Sequence, residues 1–288
     1  ANTQLLWYRR SVAAAAGIDP AATDFTWQQM IDAASGQGRK IGVQGRRYEG
    51  FMVWINALVT SAGGQIITDV ERGDEAVPSM AGPAGDAAAT VVRTLSRSPA
   101  AAADLTTAGE EEARTVFQSA DGGFMVNWPY VYGAAKEAVG EGAISQSVVD
   151  DIGWARYPRI DAGRPSAPPL GGINLAIGAF TPYQEQALAA VKCITSVANN
   201  VRYMVEAGNP AARAAAYDDP AVQEAFPMYA LIRDSINDAG PRPITPYYGD
   251  VSVSVQRNWH PPQDVEPGVT PAATDTYMRE VLSGERLL

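Results

Sequence analysis

The chain has 288 residues, with 22 Lys and Arg against 32 Asp and Glu, a formal charge of −10. That balance excludes a face built for nucleic-acid phosphates or for anionic lipid. Hydrophobic residues at 46% and charged residues at 19% describe a folded protein, long enough for one large domain or two ordinary ones. The single Cys193 excludes an internal disulfide, and the single His260 excludes every His-rich zinc site. No apolar run approaches the ~20 residues of a membrane span, and no basic-then-apolar export leader is visible. The chain opens directly on the apolar Leu5-Leu6-Trp7-Tyr8, which suggests a processed chain or a fragment.

In chain order, the first clear element is a helix from Thr26. Gln29 is spaced to close a capping box on Thr26, and Phe25 and Met30 to form a hydrophobic staple. Lys40 to Val43 reads as a strand. Phe51 to Ala62 reads as a buried helix stopped by Gly63-Gly64. Asp86 to Leu95 is a helix. Another follows Thr107, with Glu110 at the capping-box position. Phe124 to Trp128 is a strand ended by Pro129, and Ile152 to Tyr157 a strand stopped by Pro158. Two proline-rich passages, Pro158 to Pro169 and Pro241 to Pro246, bracket a predicted strand Ile173–Ile177 and a helix from about Gln184 to Val201. Tyr247 to Gln256 fits helix or strand, and a last helix covers about Ala272 to Leu282. Strands alternating with helices indicate an α/β protein.

Few residues invite covalent chemistry. No G-x-S-x-G elbow occurs. Cys193 falls mid-helix, where a packed small thiol is the favoured reading, and His260 sits in a proline-fixed loop as a surface or locally packed side chain. A glycosidase needs two facing carboxylates. The Glu110–Glu112 cluster is explained by a helix N-terminus, and Asp150-Asp151 and Asp218-Asp219 by solvated turns. No phosphate-cradling glycine loop follows a strand, and nothing calls for a cofactor or metal. The aromatics say more. Trp128 falls at the carboxyl end of its strand, where ligands gather in open α/β sheets. There a ring can stack on the apolar face of a sugar; core anchor and platform are equally open on spacing alone. Arg242, between Pro241 and Pro243, is a stiffly mounted hydrogen-bond fork.

Taken in order, these motifs resemble the solute-binding proteins of ATP-driven sugar importers, in the maltose- and trehalose-binding branch. The resemblance rests on Asn2–Arg9, Thr26–Met30, Phe124–Tyr130, Pro169–Asn174 and Arg242–Tyr248. The Leu-Gly-Gly-Ile-Asn motif and the alanine- and arginine-rich character are most similar to mycobacterial trehalose-binding members. The resemblance implies an α/β, two-lobed Venus-flytrap fold with an N-terminal portion absent from this chain. Residues 1–168 and 243–288 would form the second lobe and 173–238 the later part of the first. Crossings would lie near 1–3, 169–172 and 239–243. It implies Trp128 as a stacking platform, Tyr130 on the same wall and Gly171 and Gly172 as bare backbone beside hydroxyls. Arg242 would be a donor, Asn2 an amide and Glu49 an acceptor. It further implies a disaccharide ligand, with trehalose favoured, and membrane permease subunits as partners. A separate chain could supply the absent portion. The protein would sit outside the cytoplasm on a lipid anchor and would not be an enzyme. A carboxylate-based glycoside hydrolase or transferase is the rival reading, and a pure interaction protein a third.

Overall fold

The computed structural model describes residues 1–288. The first strand, β1 (Leu5–Arg9), runs directly into α1 (Arg10–Ala16), a helix the sequence pattern did not announce. Then come α2 (Trp27–Gly36), β2 (Lys40–Gly42), α3 (Glu49–Ser61), a hairpin of β3 (Ile67–Thr68) and β4 (Val77–Pro78), and α4 (Pro83–Ser96). Next are α5 (Glu110–Gln118), β5 (Gly122–Asn127), α6 (Tyr130–Gly140), α7 (Gln146–Asp150) and β6 (Ile152–Ala155). The remainder is helical: α8 (Gln184–Ile194), α9 (Val197–Ala207), α10 (Pro220–Ala225), α11 (Tyr229–Asn237), α12 (Tyr248–Trp259) and α13 (Thr270–Leu282).

One four-stranded sheet, in the order β2-β5-β1-β6, organises the first half. β2 runs parallel to β5, and β1 lies antiparallel to both β5 and β6, with Leu6 opposite Val126 and Ala155. The two-residue period of a strand divides the apolar side chains between two cores. Leu6, Phe124 and Val126 face α2, α3 and α4, while Leu5, Trp7 and Met125 face the other way. Val251, Val255 and Trp259 of α12 and Met278 and Leu282 of α13 belong to the first core, so the last forty residues or so pack with the first half of the chain. The second core takes in Val131 and Ala135 of α6 together with Met204, Tyr217 and Ile232 from the α9–α11 region. α3 is buried nearly all round because Phe51 and Trp54 join an aromatic cluster, with Trp54 5.9 Å and Tyr157 5.7 Å from Trp27 between ring centroids.

Local chemistry explains where sequence and structure part. The Thr26 box forms as read, Gln29 N–H donating to Thr26 Oγ1 at 3.2 Å and Thr26 N–H to Gln29 Oε1 at 2.9 Å. At α5 the cap is Glu112, which accepts from Gly109 N–H at 2.8 Å, and not Glu110. The long helix predicted to run to Val201 breaks at Thr195-Ser196, because Ser196 caps α9 through Asn199 N–H. Ile173–Ile177 forms no strand, having no neighbour to pair with. Cys193 is exposed rather than packed. His260 is locally packed, edge-on to Phe51 at 6.0 Å with Nε2 3.1 Å from the Thr106 carbonyl.

Asp151 is a tie rather than a solvated turn residue. It accepts from Arg9 Nε at 2.8 Å, Ser11 N–H at 2.8 Å and Ser11 Oγ at 2.6 Å, joining the start of α1 to the start of β6. Burial by itself would raise its carboxyl; these donors outweigh that and hold it below the usual range. Its contribution to stability is therefore complete above about pH 4 and is lost as pH falls further, through the lowered folded value. Asp151→Asn should cost about 2 kcal/mol at neutral pH, measured as a lower urea midpoint, with the gap from the parent closing in acid.

Candidate functional site

Three chain segments far apart in sequence meet in a backbone ribbon. Asn2 and Gly171 exchange two hydrogen bonds, N–H to O at 2.9 and 2.8 Å, in an antiparallel bridge. Leu170 N–H donates to Gly240 O at 3.0 Å and Gly240 N–H to Pro168 O at 2.8 Å, adding the third segment. Two polar residues of the largely apolar α3 anchor this ribbon. Ser61 Oγ accepts from Ala167 N–H at 2.9 Å, and Asn56 Nδ2 donates to Pro241 O at 3.3 Å. Gly240 is required here, since a Cβ would stand 2.8 Å from Thr60 Cγ2.

A cavity of about 700 Å³ opens beside the ribbon, and Asn2, Trp128, Tyr130 and Gly172 line one side of it. Trp128 takes its place from both neighbours. β5 ends at Asn127, which is clamped from several directions: its carbonyl accepts from Trp7 Nε1 at 3.0 Å and its Nδ2 donates to the Glu110 carbonyl at 2.9 Å. Asn127 Oδ1 accepts from Trp128 N–H at 2.9 Å. Pro129, the residue that stops the strand, has φ −62° and serves as the N-cap of α6. The indole is thus held on a turn of two residues between strand and helix, half-buried with a face to the cavity. Gly171 lies under it: a Cβ there would stand 2.7 Å from two ring carbons. Gly172 has φ +127°, a conformation side chains avoid, and lies against Ala1. Tyr130 donates its hydroxyl to Glu111, which also pairs with Arg114. Burial first, then this bond, pushes the phenol far up, so it stays a neutral donor.

Further lining comes from the α8–α9 region, and none of these residues was singled out from sequence. Asn199, Asn209 and Tyr203 line the cavity there, with Thr195 beside them. Asn199 and Asn209 each spend one N–H locally, on Cys193 O at 2.8 Å and Ala207 O at 3.1 Å. An amide oxygen remains on each, while Asn199 Nδ2 also reaches Cys193 Sγ at 3.6 Å. No charged side chain lines the cavity.

Glu49 and Arg242 were expected beside the other site residues. They meet each other instead, and neither lines the cavity. Arg242 Nη1 donates to Glu49 Oε1 at 2.9 Å, Tyr248 Oη donates to the same oxygen, and Ser252 Oγ donates to Oε2 at 2.6 Å. The Tyr248 phenol is pushed up by burial and then by Glu49. Neighbouring Tyr48 donates to Glu110 at 2.6 Å, and Glu110 holds Asn127 through its carbonyl. The Glu49 cluster thus connects through Tyr48 and Glu110 to the strand end that carries Trp128.

Residues 1–201 match the family model for bacterial extracellular solute-binding proteins. The chain belongs to that family. A probable ABC transporter-binding protein of Deinococcus radiodurans is 32% identical over 210 residues. That stretch is 70% of this chain and 45% of the relative, so the chain spans less than half the length of this curated relative. The structure of a maltose-bound Thermotoga maritima protein, MalE3, superposes with a TM-score of 0.80 at 27% identity, over 99% of this chain and 71% of that one. A tagatose-bound solute-binding protein of Thermotoga lettingae gives a TM-score of 0.77 at 20% identity over 98% and 70% of the two chains, and supports the fold alone. This solute-binding family member thus has the α/β periplasmic-binding-protein fold that the motif order implied. Its relatives are transporter binding proteins, not enzymes.

Gly171→Ala is expected to displace the Trp128 indole without unfolding the protein. The near-ultraviolet circular dichroism of Trp128 should change while the far-ultraviolet spectrum does not.

Proposed function

We propose that this chain forms the greater part of an extracytoplasmic solute-binding protein that closes two lobes around an uncharged sugar and presents it to the permease subunits of an ABC importer. The cavity wall carries this reading. Trp128 and Tyr130 supply flat apolar faces, while Asn2, Asn199 and Asn209 supply amides for hydroxyls, with no charge among the lining side chains. Such a wall suits a neutral polyol and disfavours a sugar acid or phosphate, whose charge would be left without a partner. The ribbon of residues 1–3, 169–172 and 239–243 is the hinge of this proposal, with 1–168 and 243–288 as one lobe and 173–238 as part of the other. A sugar that touches both walls stabilises the closed form.

Trehalose is the favoured disaccharide, on the likeness of the Leu170–Asn174 motif to trehalose-binding members. The maltose seen in the Thermotoga maritima relative makes maltose the first competitor. A lipid anchor and a mycobacterial-type importer belong to the same proposal. Glu49 and Arg242 enter it as the support of the Trp128 strand end rather than as direct ligands. The hydrolase reading loses ground because Glu49, Glu110 and Glu111 are each engaged by tyrosine, serine or arginine donors, and no carboxylate pair lines the cavity.

Calorimetric titration of the full-length protein with trehalose, maltose, glucose and glucose 6-phosphate tests this. Heat from a neutral disaccharide and none from the phosphate is expected; silence with every neutral sugar overturns it. Trp128→Ala should weaken binding at least about tenfold, some 1.4 kcal/mol, with the melting temperature of the free protein unchanged.

A further inference from the structure

Three polar side chains that line the cavity spend their protons on groups outside its lining. Tyr130 Oη donates to Glu111 Oε1. Thr195 Oγ1 donates to the Val191 carbonyl at 2.8 Å. Asn199 Nδ2 donates to the Cys193 carbonyl at 2.8 Å. A carbonyl and an ionised carboxylate have no proton to give, so chemistry fixes the direction of each bond. Glu111 is kept ionised for its part. Arg114, one turn along α5, holds Glu111 Oε2 through Nε at 2.9 Å and Nη2 at 2.6 Å, and its Nη1 donates to Gln118 Oε1 at 3.0 Å. Burial by itself would raise the Glu111 carboxyl, but the Tyr130 hydroxyl and Arg114 outweigh it and hold it below the usual range. A helix N-terminus accounts for an acid at this position, but not for the tyrosine that it engages.

We infer that the cavity presents acceptors at Tyr130, Thr195 and Asn199, and that Glu111, which lies outside the lining, is the positioning residue that sets this polarity at Tyr130. With its proton committed, each of these oxygens offers lone pairs alone. The ligand has to bring the donors. This rests on the reading of the cavity as a sugar site, and it narrows the sugar to one whose hydroxyls are free at these contacts. An ether, ester, keto or fluoro group there would set lone pairs against lone pairs and leave two acceptors unpaired. Asn2 has the opposite polarity. Its Oδ1 accepts from Thr3 N–H at 2.9 Å, which leaves its Nδ2 as a donor to the cavity. A hydroxyl both accepts and donates, so the lining suits a polyol that accepts from Asn2 and donates to the other three.

The first arm of the test needs no sugar. The intensity ratio of the tyrosine Raman doublet distinguishes a donating phenol from an accepting one, and the difference spectrum between the full-length protein and its Tyr130→Phe variant isolates Tyr130. The ratio should be that of a strong donor in the parent and in Glu111→Gln, whose side-chain carbonyl still accepts. It should move toward that of an accepting phenol in Glu111→Ala. An unchanged ratio in Glu111→Ala overturns the inference. The second arm titrates maltose and trehalose against their monodeoxyfluoro analogues, in which a fluorine replaces one hydroxyl and cannot donate. At least one position should lose affinity at least about tenfold in the parent and in Glu111→Gln. That loss should shrink in Glu111→Ala, where the phenol is free to turn its proton to the ligand. Equal losses in the parent and in Glu111→Ala overturn the inference. A Raman result as expected, with no heat from either sugar, strikes the reading of the cavity as a sugar site and leaves the polarity assigned to Tyr130 standing.

Discussion

Four backbone hydrogen bonds between Asn2 and Gly171, and among Pro168, Leu170 and Gly240, hold three remote segments in one ribbon. Everything else about the site depends on this contact. The ribbon is narrow, and narrow connections are where a hinge absorbs a change of angle. It is also anchored on one side, because Asn56 and Ser61 spend their polar groups on it from within a largely apolar helix. A buried amide or hydroxyl without that partner would be costly, about 1–3 kcal/mol, so the ribbon cannot leave α3 cheaply. The body built on α3 is thus fixed to the ribbon.

The cavity wall is built outward from the same place. Gly171 in the ribbon lies under the Trp128 ring, and Asn127 holds the backbone from which that ring projects. Asn127 is tied in turn to Glu110, Glu110 to Tyr48, and Tyr48 precedes Glu49 with its Arg242, Tyr248 and Ser252 donors. Arg242 lies two residues beyond Gly240, so the chain of contacts returns to the ribbon. Ribbon and indole are therefore one connected structure.

Local signals were legible in the sequence. The Thr26 box, the stop of β5 at Pro129 and the apolar run of α3 each depend on residues a few positions apart, and each forms close to where the pattern places it. Trp128, Tyr130, Asn2 and Gly172 were legible because a motif order carried them, and all four line the cavity. The pairing of Glu49 with Arg242 was not legible, since 193 residues separate them and spacing says nothing about which charges meet. Asn199, Asn209 and Tyr203 were missed because amides and a tyrosine on a half-exposed helix and in the loop after it look like ordinary surface. Ile173–Ile177 failed differently: its strand pattern is sound, but a strand exists only with a neighbour.

The central claim is that the two bodies close on the ribbon around a sugar. Spin labels at Lys136→Cys on α6 and Lys192→Cys on α8, in a Cys193→Ser background, would sit on exposed positions, the first on a helix of the second core and the second on a helix that enters neither core and ends at the cavity. Electron–electron distance measurement on the full-length protein then reads the gap directly. Addition of the sugar that binds should shift the distribution to a shorter, narrower distance in proportion to saturation. An unchanged distribution at saturating sugar would contradict the account.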